Sequence, residues 1–253
     1  MAWTLAKVTV LLDQTLKTGS FSDHSNNGLQ VENSGRVRRI CCGVDASLAF
    51  FEAAARRKAD LVICHHGMSW GDSLKRITEL NYRRIQLLVR HDMALYVSHL
   101  PLDAHPRLGN NALICRRLGL RNLKPFWCYH GSYIGFSGEL PRSMPYPAFK
   151  QQVARCINPS LQGMEFGRPV VRTVAVVSGG ASGEVAEAGR LGMDVFLSGE
   201  PGLSAYSMAQ EYGIHALFAG HYATERFGVR ALGDWLAKKT GIPSEFIDLA
   251  VPF

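Results

Sequence analysis

Apolar positions recur in two rhythms along this chain, and the rhythms alternate. The opening MAWTLAKVTVLLDQTLK places Leu5, Val8, Leu11, Leu12 and Leu16 on one helical face. RRICCGVD (38–45) is a short continuous apolar run, the pattern of a strand buried on both faces. ASLAFFEAAARRK (46–58) returns to helical spacing, and ADLVICHH (59–66) is a second buried run. Residues 75–91 predict another helix and MALYVSHL (93–100) a third strand. GNNALICRRLGL (109–120) predicts a helix that stops at Gly119. The same alternation returns after residue 165. RTVAVVSGG, DVFLSGE and HALFAGHYATE read as strands with their end loops. ASGEVAEAGRLG, PGLSAYSMAQEYG and RFGVRALGDWLAKKT read as the helices between and after them. Strands alternating with helices of this length predict an α/β sheet covered by helices.

Residues 121–165 break the rhythm. They hold Pro125, Pro141, Pro145, Pro147 and Pro159 among aromatics and glycines. WCYHGSYIGFSGEL reads as one or two short strands, and the whole stretch as a connector. The expected organisation is a first α/β half over 1–120, the connector over 121–165 and a second α/β half over 166–253.

The two halves match each other in spacing. With Ala46-Ser47 laid on Ala181-Ser182, the step of 19 residues to His65 equals the step to Glu200. With ALYVSHLPLD laid on ALFAGHYATE, His99 meets His221 and Asp103 meets Glu225, again without a gap. Both are strand, His, three residues, acid. This predicts an internal duplication, two similar and intertwined halves.

Polar residues fall where such a sheet concentrates chemistry. His65 and His66 end one strand, His99 and Asp103 follow another, and His221 and Glu225 follow a third. In open α/β sheets the loops past the carboxyl ends of the strands converge on the ligand site. Imidazole suits Zn, Fe, Ni or Cu, and carboxylates suit harder ions, so the set fits one or two divalent first-row ions. Neighbours on an extended strand point apart, but His65 and His66 can address two ions, one each, if the chain turns at Gly67. Taken singly, Asp103 can also be read as a cap and Glu225 as a first-turn helix residue. His105 lies two residues past Asp103 and is a further candidate to reach a substrate. Asp23, Asn26 and Asn27 predict a loop that shapes the pocket. In SGGASG (178–183), close packing at a strand–helix joint accounts for the glycines better than anion binding does. No GxSxG or HExxH motif occurs.

Composition narrows the picture further. Hydrophobic residues make up 47% of the 253, enough for a core, and no apolar run approaches a membrane span. The N-terminus reads as an amphipathic helix and not as a signal peptide, so a soluble cytoplasmic protein is expected. The formal charge of +7 leaves nucleic acid open, but the arginines are scattered in short pairs. Six cysteines without a CxxC pair argue against a disulfide framework.

The segments DHSNNGLQVE (23–32), GVDAS (43–47), CHHGMSW (64–70), SHLPLDAHPRLGNNAL (98–113), SGGAS (178–182), DVFLSGE (194–200) and GHYATERFGVRAL (220–232) together resemble the Nif-three-like family. Its bacterial members often carry the label GTP cyclohydrolase I type 2 homologue. The resemblance runs along nearly the whole chain. It implies two intertwined α/β halves, a ring-shaped homohexamer built from dimers, and two divalent ions per chain (Fe, Zn or Mn). It implies His65, Asp103 and Glu225 on one ion, and His66, His221 and Glu225 on the other, with Glu225 the bridge. His99 would lie near the ions without binding them. Longer family members carry an inserted domain that this chain lacks. The resulting expectation is a metal-dependent hydrolase, using a metal-activated water on a nucleotide-like or cyclic-amide small molecule. His99 or His105 would carry the proton. The alternatives are a non-catalytic metal-binding scaffold and a nucleic-acid-binding ring.

Overall fold

A computed structural model describes residues 3–252. The helices, in chain order, are α1 (Leu5–Leu16), α2 (Leu48–Arg56), α3 (Glu79–Arg90), α4 (Leu100–Asp103), α5 (Asn110–Arg117), α6 (Tyr146–Cys156), α7 (Val185–Arg190), α8 (Leu203–Tyr212) and α9 (His221–Thr240). The strands are β1 (Gly28–Val31), β2 (Ile40–Asp45), β3 (Leu61–His66), β4 (Ala94–Val97), β5 (Arg121–Tyr129), β6 (Ser132–Pro145), β7 (Gln162–Glu165), β8 (Val170–Val176), β9 (Val195–Ser198), β10 (His215–Phe218) and β11 (Ser244–Phe246). Two compact units emerge. One contains the residues up to Leu108 together with Gly228–Leu249; the other contains Gly109–Phe227 and the residues from Ala250 onward.

The first unit is a five-stranded sheet in the order β1-β4-β3-β2-β11. β4, β3, β2 and β11 run parallel, and β1 is antiparallel to β4. Alternate residues serve opposite faces. Cys41, Val62, Cys64, Leu95 and Val97 meet Phe50, Phe51 and Ala54 of α2 and Leu88 of α3. Ser47 caps α2, its hydroxyl accepting from the Phe50 N–H at 3.2 Å. The α1 helix buries Leu5, Val8, Leu12 and Leu16 as its spacing predicts. The buried Tyr96 hydroxyl donates to Asp13 of the same helix at 2.7 Å.

The second unit is a six-stranded sheet in the order β5-β6-β8-β9-β10-β7. β8, β9 and β10 are parallel, while the β5–β6 hairpin and β7 run antiparallel to their neighbours. Helices cover both faces. Val174, Val176, Val195, Leu197 and Leu217 pack on α5 and α6. Ala175, Phe196, Ala216 and Phe218 pack on α7 and α8.

Three parts of the sequence reading change here. Residues 121–165 are not a connector: they supply β5, β6, α6 and β7, half the strands of this sheet. Their prolines sit where strands and helices tolerate them. Pro125 lies on the edge strand, and Pro147 lies in the first turn of α6, where a missing N–H costs nothing. Nor does a unit boundary fall at residue 120; it falls at Leu108/Gly109, and again inside α9. His221 also opens a helix and does not sit in a loop, so His221 and Glu225 are one turn apart on α9.

Gly43 sits on β2 directly against the Phe50 ring. A Cβ there would lie 2.5 Å from Phe50 Cε2. Gly43→Ala is expected to destabilise the protein by about 1–3 kcal/mol through overpacking, read as a lower urea midpoint. An unchanged midpoint would show that the Phe50 ring has room to retreat.

Candidate metal centre

In the first unit, three histidine rings meet at the carboxyl ends of β3 and β4. The ring centroids of His65 and His66 are 4.8 Å apart, those of His65 and His99 5.1 Å, and those of His66 and His99 5.7 Å. One ligand atom from each lies within 4.8 Å of the others. Both His65 and His66 reach this cluster although they are sequence neighbours, because β3 ends at His66. Gly67 follows, packed so closely that a Cβ would meet Gln30 and Val97, and the chain bends at Met68. Asp103 comes back to the same place on the single turn of α4, with its Oδ2 3.4 Å from His65 Nε2.

Each of these rings is held by its other nitrogen. His65 Nδ1 donates to the Ser98 carbonyl at 2.9 Å. His66 Nδ1 donates to Asp45 Oδ1 at 2.8 Å. His99 Nδ1 donates to both Asp23 oxygens, at 3.0 and 3.1 Å. Those bonds fix the tautomer, so every Nε2 keeps its lone pair for a cation. The Asp23–Asn27 loop clamps His99 further. Asn27 accepts from the His99 backbone N–H at 2.7 Å and donates to Asp23 at 2.8 Å. Trp70 sets its ring edge against His99 at 5.1 Å.

The second unit builds its own donor group at the start of α9. His221 Nε2 lies 3.1 Å from Glu225 Oε1, and His221 Nδ1 donates to Glu200 Oε1 at 2.7 Å. Burial alone would lower the His221 pKa, but Glu225 and Glu200 outweigh it and raise the value to about 9. The same two carboxylates favour any cation at that point. Gly179 (φ +69°) presses so close that a Cβ would collide with the Glu225 carboxylate. The SGGASG turn therefore packs a strand–helix joint, as its glycines suggest. Thr224 completes the joint, accepting from the Gly179 N–H at 3.1 Å.

The chain thus carries two distinct groups of donors able to hold divalent ions, one including His65 and His66 and the other including His221 and Glu225. Imidazoles with carboxylates and no thiolate suit first-row divalent ions. Cys64, next to His65 in sequence, points into the α2 core instead. His105 joins neither group: its Nδ1 accepts from the backbone N–H groups of Arg107 and Leu108 at 3.1 and 3.0 Å. Sequence reasoning placed Asp23 in the loop that shapes the pocket but missed Asp45 and Glu200 as the carboxylates behind the rings. Glu200 had a signal, since the repeat lays it on His65. Asp45 had none beyond its place at the end of β2.

Burial pushes the Asp23 carboxyl up, but the hydrogen bond and charge of His99, with Asn27 and Ser25, hold it at about 2. A lowered folded pKa stabilises the protein above the ordinary carboxylate value, and that stability is lost as pH falls through about 2. Asp23→Asn is expected to cost about 1–2 kcal/mol at neutral pH, allowing for screening, and to flatten the acid limb below about pH 4. Urea denaturation across pH measures both; an unflattened acid limb would remove Asp23 as its source.

With this geometry in place, the chain can be compared with known proteins. The family model for Duf34/NIF3 (NGG1p interacting factor 3) matches residues 3–250. A protein of Deinococcus radiodurans called GTP cyclohydrolase 1 type 2 homolog is 41% identical over 237 residues, covering 94% of this chain and 90% of that one. A namesake from Archaeoglobus fulgidus is 41% identical over 245 residues, covering 97% and 98%. Among solved structures, protein ybgI, described as of unknown function, matches with a TM-score of 0.92 at 35% identity over 100% of both chains. TTHA1606 from Thermus thermophilus matches with a TM-score of 0.90 at 33% identity, over 99% of this chain and 100% of that one. With the α/β fold of these structures and a family match along nearly its whole length, the chain belongs to the Duf34/NIF3 family.

Proposed function

We propose that this protein is a dinuclear metal-dependent hydrolase. The observation that carries the reading is the common anchoring of His65, His66, His99 and His221, each with Nδ1 committed to an oxygen. Such bracing is what a catalytic metal site needs to orient its ligands. The ligand sets are those the family resemblance implies: His65, Asp103 and Glu225 on one ion, and His66, His221 and Glu225 on the other. The ions would supply an activated water and polarise a substrate oxygen. His99, braced by Asp23 and edged by Trp70, carries the proton between water and leaving group. The relatives' shared name points to a nucleotide-like or cyclic-amide substrate.

The duplication inferred from the spacing belongs to the same reading. Three parallel strands in sequence order, β2-β3-β4 in one unit and β8-β9-β10 in the other, support it. So does the recurrence of His, three residues, acid after β4 and after β10.

Elemental analysis of the purified protein tests the proposal. About two equivalents of Fe, Zn or Mn per chain are expected, falling to about one or fewer in His66→Ala and Glu225→Ala. His99→Gln is expected to keep its metal and to lose about 10²–10⁴-fold in kcat on any cyclic amide or nucleotide the protein turns over. A protein that purifies without metal and takes up none of the three would overturn the reading.

A further inference from the structure

A second feature of the second unit lies away from the histidine centre. Between α6 and the edge strand β7 is a cleft of 790 Å³. Tyr146, the first residue of α6, lines it and is only 4% exposed, yet its hydroxyl has no hydrogen-bond partner. An unsatisfied buried donor is costly, and native proteins rarely keep one without a use.

The hydroxyl is held rigidly. The Tyr146 ring stacks on His215, with centroids 3.5 Å apart and planes within 8°. The Tyr146 backbone N–H donates to the Pro169 carbonyl at 2.9 Å. His215 is itself fixed, Nε2 donating to the Arg168 carbonyl at 2.8 Å and Nδ1 accepting from the Gly167 N–H at 3.3 Å. Burial, with Glu165 nearby, raises the phenol pKa, so the hydroxyl stays protonated and can donate.

A second donor converges on it. Lys150 lies one turn along the same face of α6. A Cβ added to Gly163 of β7 would lie 3.4 Å from both the Tyr146 hydroxyl and Lys150 Nζ. Lacking a side chain, Gly163 lets β7 pass close to both donors. Lys150 pairs with Glu165 at 2.7 Å, but Glu165 is half exposed and can swing into water. The amino end of the 11-residue α6 adds the positive end of its dipole. Pro147, Pro159 and Leu161 give the cleft an apolar wall.

We propose that this cleft binds a small organic carboxylate, its anionic group accepting from Tyr146 and Lys150 and its apolar remainder lying on Pro147, Pro159 and Leu161. One cation beside Glu165 suits a single negative charge better than a phosphate dianion. The site is separate from the histidine centre: His215 opens β10 and His221 follows its far end, and a four-residue strand spans about 13 Å. The proposal therefore stands independently of the hydrolase reading.

The probe is phenylacetate, titrated by ligand-observed NMR into the full chain, once as purified and once stripped with chelator. Saturable binding with a Kd of about 1 mM or tighter is expected, equal in both samples, given the size of the probe. Phenylacetamide is expected to bind at least about tenfold more weakly. Tyr146→Phe, which keeps the ring and its stack, and Lys150→Met are each expected to weaken phenylacetate about tenfold with an unchanged melting temperature. No saturable binding would overturn the proposal, and so would binding that survives both substitutions. Equal affinity for the amide, or full competition by inorganic phosphate at the same concentration, would overturn the carboxylate assignment. Binding lost on chelation would move the ligand to the histidine centre and overturn it as well.

Discussion

An imidazole can offer a cation only one nitrogen, and it does so reliably only if the other is tied down. Everything around the histidine centre serves that constraint. Ser98 is placed beside His65 by the register that pairs β3 with β4. Asp45 is paired with His66 across β2 and β3, residue for residue. Asp23 reaches His99 from a loop that precedes β1, and Glu200 reaches His221 from the end of β9. Parallel strands are the economical way to do this, because they bring several chain ends to one edge with fixed offsets. The two units use the same device with different anchors. A neutral carbonyl backs His65, whereas carboxylates back His66, His99 and His221, which makes those three imidazoles stronger electron donors.

Much of this was legible in the sequence, and what was legible shares a cause. Runs such as LVICHH and ICCGVD are buried on both faces, so their apolar continuity survives any detail of packing. The Leu5–Leu16 helix keeps its stripe because one face meets Tyr96 and the sheet. His65, His66, Asp103, His221 and Glu225 stood out because they fall just past such runs. The shorter edge strands β1, β7 and β11 left no such trace. They have three or four residues each, partly exposed, and are held by backbone pairing to a neighbour. Sequence periodicity reports burial, and an edge strand has little of it.

The prolines misled for a related reason. Pro145 and Pro147 read as breaks, yet a proline in the first helical turn is a start signal once the residues after it are considered. Tyr146, Phe149 and Val153 are spaced to bury one face of α6, and they do. The anchoring carboxylates were harder still. Asp23, Asp45 and Glu200 owe their roles to who stands opposite them in space, and one sequence holds no record of that. The loop reading put Asp23 near the pocket and the repeat, which lays Glu200 on His65, carried a hint of Glu200; Asp45 left none.

The pleat of β3 has a consequence for which ions this protein can be poisoned by. Cys64 precedes His65, and the strand turns its sulfur into the α2 core, away from the imidazoles. Burial lifts the Cys64 thiol well above its ordinary pKa, and it lifts Cys42 and Cys115 to about 12 and Cys41 to about 11. In the folded chain these sulfurs are neutral and enclosed, so cadmium or mercury arriving at the histidines finds no thiolate to hold it. A thiophilic metal at the histidines reaches the Cys64 sulfur only by parting β3 from α2. Resistance of the histidine centre to such metals is in that sense a property of the core, and it fails when the core does.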